Sequence, residues 1–269
     1  MCASPASPVT VDVDGPVAHV TLYDRESGNA LNPTTLGALI KAFDGVRRDE
    51  NVRIIVLGHD GETFCRGMDL AYVATLPSDE IPTEFIGEFA RLLRLIHEAP
   101  QPVFARIDGA VRAGGMGVMA ATDVVLASEA SSFSLTEVVF GLVPYNVLPY
   151  LIRRVGYATV RYLVLTACEL TAQEAYTTRL IEEVHSDAAA LDKRIRSHAK
   201  QVLRCSPAAL QQAKQFVATI DGMPLEEASM SARTALRDWF QAPDSLEPLR
   251  AFQAGEALPW FARYKPKKK

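Results

Sequence analysis

Apolar positions change period several times along the chain, and each change marks an element. Val9–Val13 and Val17–Tyr23 are short β-branched stretches separated by Asp14-Gly15-Pro16, a hairpin signal. Leu36, Leu39, Ile40, Phe43 and Val46 then recur at helical spacing, with Asn32 placed to cap and Pro33 at the first helical position. Ile54–Leu57 is a continuous apolar run short enough for a buried strand, and it ends in the turn-rich Gly58–Gly61. Thr83–Glu98 reads as an amphipathic helix with Phe85, Phe89, Leu92, Leu93 and Ile96 inward, stopped before Pro100 and Pro102. A buried strand follows through Ala105 and Ile107, and Asp108–Asp123 is a glycine-bearing turn that opens a short apolar helix. Asp123–Ala127 and Ser132–Leu135 are further strand candidates. Beyond Glu137 the pattern turns helical, over Val147–Val155, Ala158–Thr166 and Ala172–Thr177, then Ala188–Arg204, Pro207–Ile220 and Leu225–Gln241. Strands alternate with helices through the first two-thirds, which predicts an α/β fold with crossover connections and a helical C-terminal part.

Composition narrows the function classes. The 269 residues are nearly half apolar and carry a net charge of −4, which argues against broad nucleic-acid or membrane-surface binding. Only Lys265-Pro266-Lys267-Lys268-Lys269 is strongly basic, a solvated tail or a binding patch. Cys2, Cys65, Cys168 and Cys205 are scattered, which suits a reducing compartment and argues against a structural zinc. Met1–Pro8 lacks a basic region followed by an apolar core, and no apolar run approaches membrane-spanning length. The expectation is a cytoplasmic protein.

Three places carry candidate chemistry. Glycines stand just before helical segments at Gly67 and at Gly114-Gly115. Glycine lets backbone approach a ligand closely, and a helix's first N–H groups lack internal partners, so such a junction favours negative charge; tight packing of a buried helix is the other reading. The third place is Glu137, in Phe133-Ser134-Leu135-Thr136-Glu137. A glutamate here is either a helix-start or solvated charge, or a carboxylate buried among apolar neighbours whose raised pKa suits a general acid or base. His19, His59, His97, His185 and His198 form no local ligand pair, so none is assigned a catalytic or metal role. Cys65 reads as a small buried filler, Asp69 as a cap for the following helix, and Asp123 as a structural residue.

The chain resembles the crotonase (enoyl-CoA hydratase/isomerase) superfamily. The resemblance rests on Asn29-Ala30-Leu31-Asn32, Phe64-Cys65-Arg66-Gly67-Met68-Asp69-Leu70, Gly109 through Asp123, Glu137, Gly141, Pro144 and Arg153-Arg154-Val155-Gly156, in that order. It implies a spiral core of ββα repeats over residues 1–185 and a helical oligomerisation region over 186–269. It also implies a homotrimer or hexamer, no bound metal or cofactor, and a substrate carried as a phosphopantetheine thioester. Two backbone N–H groups would hold the thioester oxygen, and by motif position they fall on Met68 and Gly114. Hydratases of the family typically use two glutamates; the second matches Glu137, but the first falls on Gly117, which has no side chain to move a proton.

The stretches around Gly67, Gly114 and Glu137, with Val147-Leu148-Pro149-Tyr150-Leu151-Ile152-Arg153-Arg154, further resemble the first crotonase-like enzyme of polyketide β-branching cassettes. That likeness implies dehydration of a 3-hydroxy-3-methylglutaryl group on an acyl carrier protein to 3-methylglutaconyl, with Glu137 as the single acid/base. The distal carboxylate needs a partner, because an unpaired buried charge is costly. Tyr145, Asn146 and Arg112 are candidates, and Arg66 is a candidate for gripping the anionic arm. Hydration or isomerisation of an acyl-CoA is the alternative within the family. A non-catalytic thioester binder or scaffold is the alternative outside catalysis.

Overall fold

A computed structural model of the protein describes residues 7–76, 83–243 and 245–261. Cys2 and the basic tail Lys265–Lys269 lie outside the described residues. The chain opens on β1 (Val9–Asp14) and β2 (Val17–Leu22), an antiparallel hairpin turned at Gly15. The helix α1 (Pro33–Val46) starts as its sequence predicts: the Asn32 side chain accepts the Thr35 N–H at 3.0 Å and Pro33 follows.

A three-fold β-β-α pattern comes next. The first repeat is β3 (Ile54–His59), β4 (Thr63–Cys65) and the helices α2 (Leu70–Ala74) and α3 (Thr83–His97). The second is β5 (Val103–Ile107), β6 (Ala110–Arg112) and α4 (Gly114–Ala120). The third is β7 (Val124–Ser128), β8 (Ser132–Ser134), a short 3-10 helix Glu137–Phe140 and α5 (Leu148–Thr166), which bends at Gly156. In each repeat the longer strand enters a six-stranded sheet ordered β1-β2-β3-β5-β7-β10, and the shorter one a four-stranded sheet ordered β4-β6-β8-β9. Apart from the β1–β2 and β8–β9 pairs, the ladders are parallel. A parallel sheet is covered on both faces, and β3 is accordingly buried at every position.

The segment after Glu137 departs from the expected all-helical pattern. The chain there forms β9 (Glu169–Thr171), α6 (Ala172–Thr177) and β10 (Glu183–His185), so two strands return to the sheets. Strands of three residues are too short for alternation to register against the flanking helical periodicity. The helix α7 (Ala188–Val202) buries Leu191, Ile195 and Ala199.

The chain divides into two compact units near the end of α7, one reaching Ala199 and the other starting at Lys200. The second unit holds α8 (Pro207–Thr219), α9 (Leu225–Gln241) and α10 (Glu247–Gln253), the last with no counterpart in the sequence reading. None of these three helices buries a residue, and Leu225, Met230, Leu236, Phe240, Leu249 and Phe252 are exposed. No helix among the described residues is long and apolar enough to cross a membrane.

Candidate active site

Three neighbouring parallel strands, β4, β6 and β8, hand the chain to the three places singled out above. Cys65 pairs with Val111, Val111 with Phe133, and Arg112 with Ser134, so the strand ends are aligned. The Ala113 N–H donates to Ser134 O at 3.0 Å, carrying the contact one residue past β6. Gly67-Met68, Ala113-Gly114 and Thr136-Glu137 therefore leave the sheet side by side. The carboxyl ends of parallel strands are where loops converge on ligands.

The first two junctions press against each other. Gly67 has φ +86°, and a Cβ there would stand 2.7 Å from the Ala113 Cβ and 2.8 Å from Gly114 N. Only glycine meets both conditions. Leu31 fixes the next residue: its N–H donates to Gly67 O at 2.8 Å and its carbonyl accepts the Asp69 N–H at 2.9 Å. In an extended bridge successive N–H groups alternate sides, so the Met68 N–H points away from Leu31. Among the described residues no hydrogen bond uses the N–H of Met68 or of Gly114. Both residues line one cavity of about 260 Å³. Two free donors at a cavity are what an oxyanion needs.

Glu137 lines the same cavity as the first residue of its 3-10 helix. Burial pushes its carboxyl up from the ordinary 4.5 to about 7, with its own N–H opposing the rise. Its Oε2 is buried with no hydrogen-bond partner among the described residues. A carboxyl held near neutrality with one oxygen left without a partner can both take and return a proton. Phe85, Phe89, Leu142, Val143 and Val147 make the remaining wall largely apolar. A larger open groove of about 1020 Å³ beside β1 and α1 contains none of the three strand-end features.

The other named candidates divide. Arg66, Tyr145 and Asn146 also line the cavity. Arg66 and Tyr145 are exposed, while Asn146 Nδ2 donates to Ile86 O at 3.1 Å, which ties its loop to α3. Arg112 is not brought to the cavity, which corrects its placement as a partner for substrate. Its guanidinium bonds Val111 O, Ser132 O and Ser132 Oγ, and it pairs with Glu169 Oε1 on β9 at 2.8 Å. Alternation along β6 sends its side chain across the neighbouring strands, away from the junction that follows it in sequence.

Asp69 caps α2, accepting the N–H groups of Ala71 and Tyr72. Cys65 is fully buried, and desolvation pushes its thiol up to about 12. Asp123 Oδ2 accepts the Val103 N–H at 2.7 Å, a structural tie between β5 and the end of the glycine helix. His185 and His198 both reach Glu183, at 3.0 and 2.9 Å, a cluster that spacing along the chain does not reveal. No group of three or more His, Cys, Asp or Glu side chains among the described residues, this cluster included, is placed to hold a metal ion. Leu31 and Val147 also line the cavity without being singled out in the sequence, and Phe85 and Phe89, buried in the core as their spacing predicts, line it as well. Their one signal was apolar character, which burial in any core would also require.

Comparisons with known proteins bear on the family and the fold. The family model "Enoyl-CoA hydratase/isomerase" matches residues 12–261. The chain is 28% identical over 254 residues to the bacillaene synthase dehydratase PksH of Bacillus subtilis, covering 94% of this chain and 96% of that protein. It is 30% identical over 250 residues to the (E)-benzylidenesuccinyl-CoA hydratase of Thauera aromatica, covering 91% and 95%. The crystal structure of an enoyl-CoA hydratase from Shewanella pealeana superposes with a TM-score of 0.87 at 25% identity, over 94% of this chain and 96% of that one. Strand-end geometry, the β-β-α repeat and the family match converge: the chain belongs to the enoyl-CoA hydratase/isomerase family of crotonase-fold enzymes and is a lyase of the hydratase/dehydratase kind.

Proposed function

We propose that the protein dehydrates a 3-hydroxy-3-methylglutaryl thioester on an acyl carrier protein to the 3-methylglutaconyl thioester. Glu137 carries the reading: it is the one carboxylate among the described lining residues, buried, unpartnered at Oε2 and poised at about 7. The Met68 and Gly114 N–H groups receive the thioester oxygen and stabilise the enolate as negative charge moves onto it. One such donor is worth on the order of 10²–10³ in rate. Glu137 as carboxylate takes the proton from the carbon beside the carbonyl. As the carbon–oxygen bond to the tertiary hydroxyl breaks, Glu137 returns that proton and water leaves. The double bond forms, and the carboxylate is regenerated. One group serves both steps when hydrogen and hydroxyl depart from the same face.

Gly117 supports a one-carboxylate reaction, and likeness to a relative named a synthase dehydratase supports the direction and the tethered substrate. Arg66, the one cation among the described lining residues, meets the substrate's anionic groups at the rim, with Tyr145 and Asn146 beside it. The apolar residues exposed on α9 and α10 support a homotrimer or hexamer, which light scattering on the purified protein tests.

Mass spectrometry of the loaded carrier protein should show loss of one water with the wild type and none with Glu137→Gln. Near wild-type loss from a folded Glu137→Gln protein would sink the assignment. A second reading, hydration of an acyl-CoA, is favoured by the relative named a CoA hydratase. It predicts turnover of crotonyl-CoA and no change to the carrier-bound thioester.

A further inference from the structure

Val147 is held at the start of α5 from both sides. Its N–H donates to Pro144 O at 2.9 Å, and its carbonyl accepts the Leu151 N–H at 3.2 Å. The side chain is buried, lines the cavity and covers Gly117 on α4. A Cβ on Gly117 would stand 2.9 Å from Val147 Cγ2 and 3.4 Å from its Cβ and Cγ1. A β-branched side chain has few alternative rotamers through which to move aside. Gly117 itself lies three residues beyond Gly114, roughly 4.5 Å along the helix. The Val147 methyl groups therefore stand over the part of α4 next to the Gly114 donor.

We propose that Val147 is a specificity-determining residue. From α5 it supplies the wall that a side chain at residue 117 would otherwise supply from α4. It thereby sets the size of the substituent accepted on the acyl chain close to the thioester. The wall is apolar and moves no proton, which leaves the proton chemistry to Glu137. This rests on the reading of Gly114 as a donor to the thioester oxygen.

The test uses binding, which does not depend on Glu137 chemistry. Calorimetry would compare butanoyl, 3-methylbutanoyl and 3,3-dimethylbutanoyl pantetheine on the full-length wild type, Val147→Ala, Val147→Ile and the double variant Gly117→Ala/Val147→Ala. Val147→Ala should shift preference toward the 3,3-dimethyl ligand by about 10-fold relative to the straight chain, and Val147→Ile should shift it the other way. The double variant, with volume restored from α4, should move back toward the wild type. Gly117→Ala alone should lower Tm by about 4 °C, and the Val147→Ala change should relieve that loss. Preferences that stay within about two-fold in both Val147 variants would overturn the proposal, as would a wild type that binds none of the three ligands. Shifted preferences in a protein that releases no water from the carrier-bound thioester would support the wall and overturn the reaction. Unchanged preferences with dehydration intact would do the reverse.

Discussion

Gly67 and Ala113 are in van der Waals contact through backbone that has no room for a further carbon: a Cβ on Gly67 would stand 2.7 Å from the Ala113 Cβ. The contact ties two junctions 46 positions apart in sequence and sets the spacing of the Met68 and Gly114 N–H groups that follow them. Gly67→Ala combines this overlap with a side chain at φ +86°. The variant should lose about 2–4 kcal/mol of stability. Turnover should fall by about 10² or more, because the junctions must separate and the donors with them. Urea unfolding and dehydration assays check both, and a stable variant with full activity would show that the contact does not set the donors.

Ala113 itself is strained. Its φ of 48° and ψ of −124° belong to a region that glycine occupies far more easily than alanine. The residue directly precedes the Gly114 donor, so the strained peptide is the one that orients that N–H. Such strain amounts to about 1–3 kcal/mol, and glycine's greater freedom in the unfolded chain offsets under about 1 kcal/mol. Ala113→Gly should therefore raise stability by about 1 kcal/mol. A lower urea midpoint in this variant would show that the alanine is not strained.

Legibility in the sequence followed how narrowly each feature constrains residue type. The α1 start was readable because Asn32 and Pro33 do specific jobs there, and the three strand-end features were readable because close approach and proton transfer need glycine and a carboxylate. The strands β4, β6, β9 and β10 were not, since three residues alone show no alternation (three-residue β8 was read within the longer Ser132–Leu135), and β9 and β10 sit between helical stretches. Arg112 was misplaced because adjacency to Ala113 in sequence says nothing about the face of β6 on which its side chain lies; pairing to Glu169 decides that. The contact of Val147 with Gly117 was unreadable, because the partner is a missing side chain and β7, β8 and the 3-10 helix lie between the two residues. The His185–Glu183–His198 cluster joins β10 to α7 and appears only once both are packed.

Arg66 gives a prediction that separates binding from chemistry. It lines the cavity, with its N–H donating to Gly28 O at 3.2 Å, which fixes the backbone, and its side chain is exposed beside Gly28. A charge-assisted contact to a substrate carboxylate adds affinity in ground and transition state alike. Arg66→Gln should raise KM for the 3-hydroxy-3-methylglutaryl thioester, which keeps one free carboxylate, by about 10-fold with little change in kcat. The 3-hydroxybutyryl thioester, which lacks the distal carboxylate, should be unaffected. Equal losses on both substrates would assign Arg66 to the shared arm.

Glu137 couples activity and stability to the same ionisation. Burial raises its carboxyl to about 7, so the proton-accepting form of the free enzyme accumulates as pH rises through that value. The kcat/KM profile should climb from pH 5 and level off above about 7. Stability should run the other way. A carboxyl at about 7 in the folded chain and near 4.5 in the unfolded one favours folding while protonated, and this advantage is lost as pH rises from about 4.5 through 7. The difference corresponds to roughly 3 kcal/mol as an upper bound. Glu137→Gln cannot ionise, so at pH 8 it should be the more stable protein by up to that amount, and near pH 4 it should match the wild type. Chemical unfolding followed by circular dichroism at the two pH values measures the gap. Equal stability at both would mean that the carboxylate is solvated in the folded protein, and with it would go the physical basis for its raised pKa and for its part as acid and base.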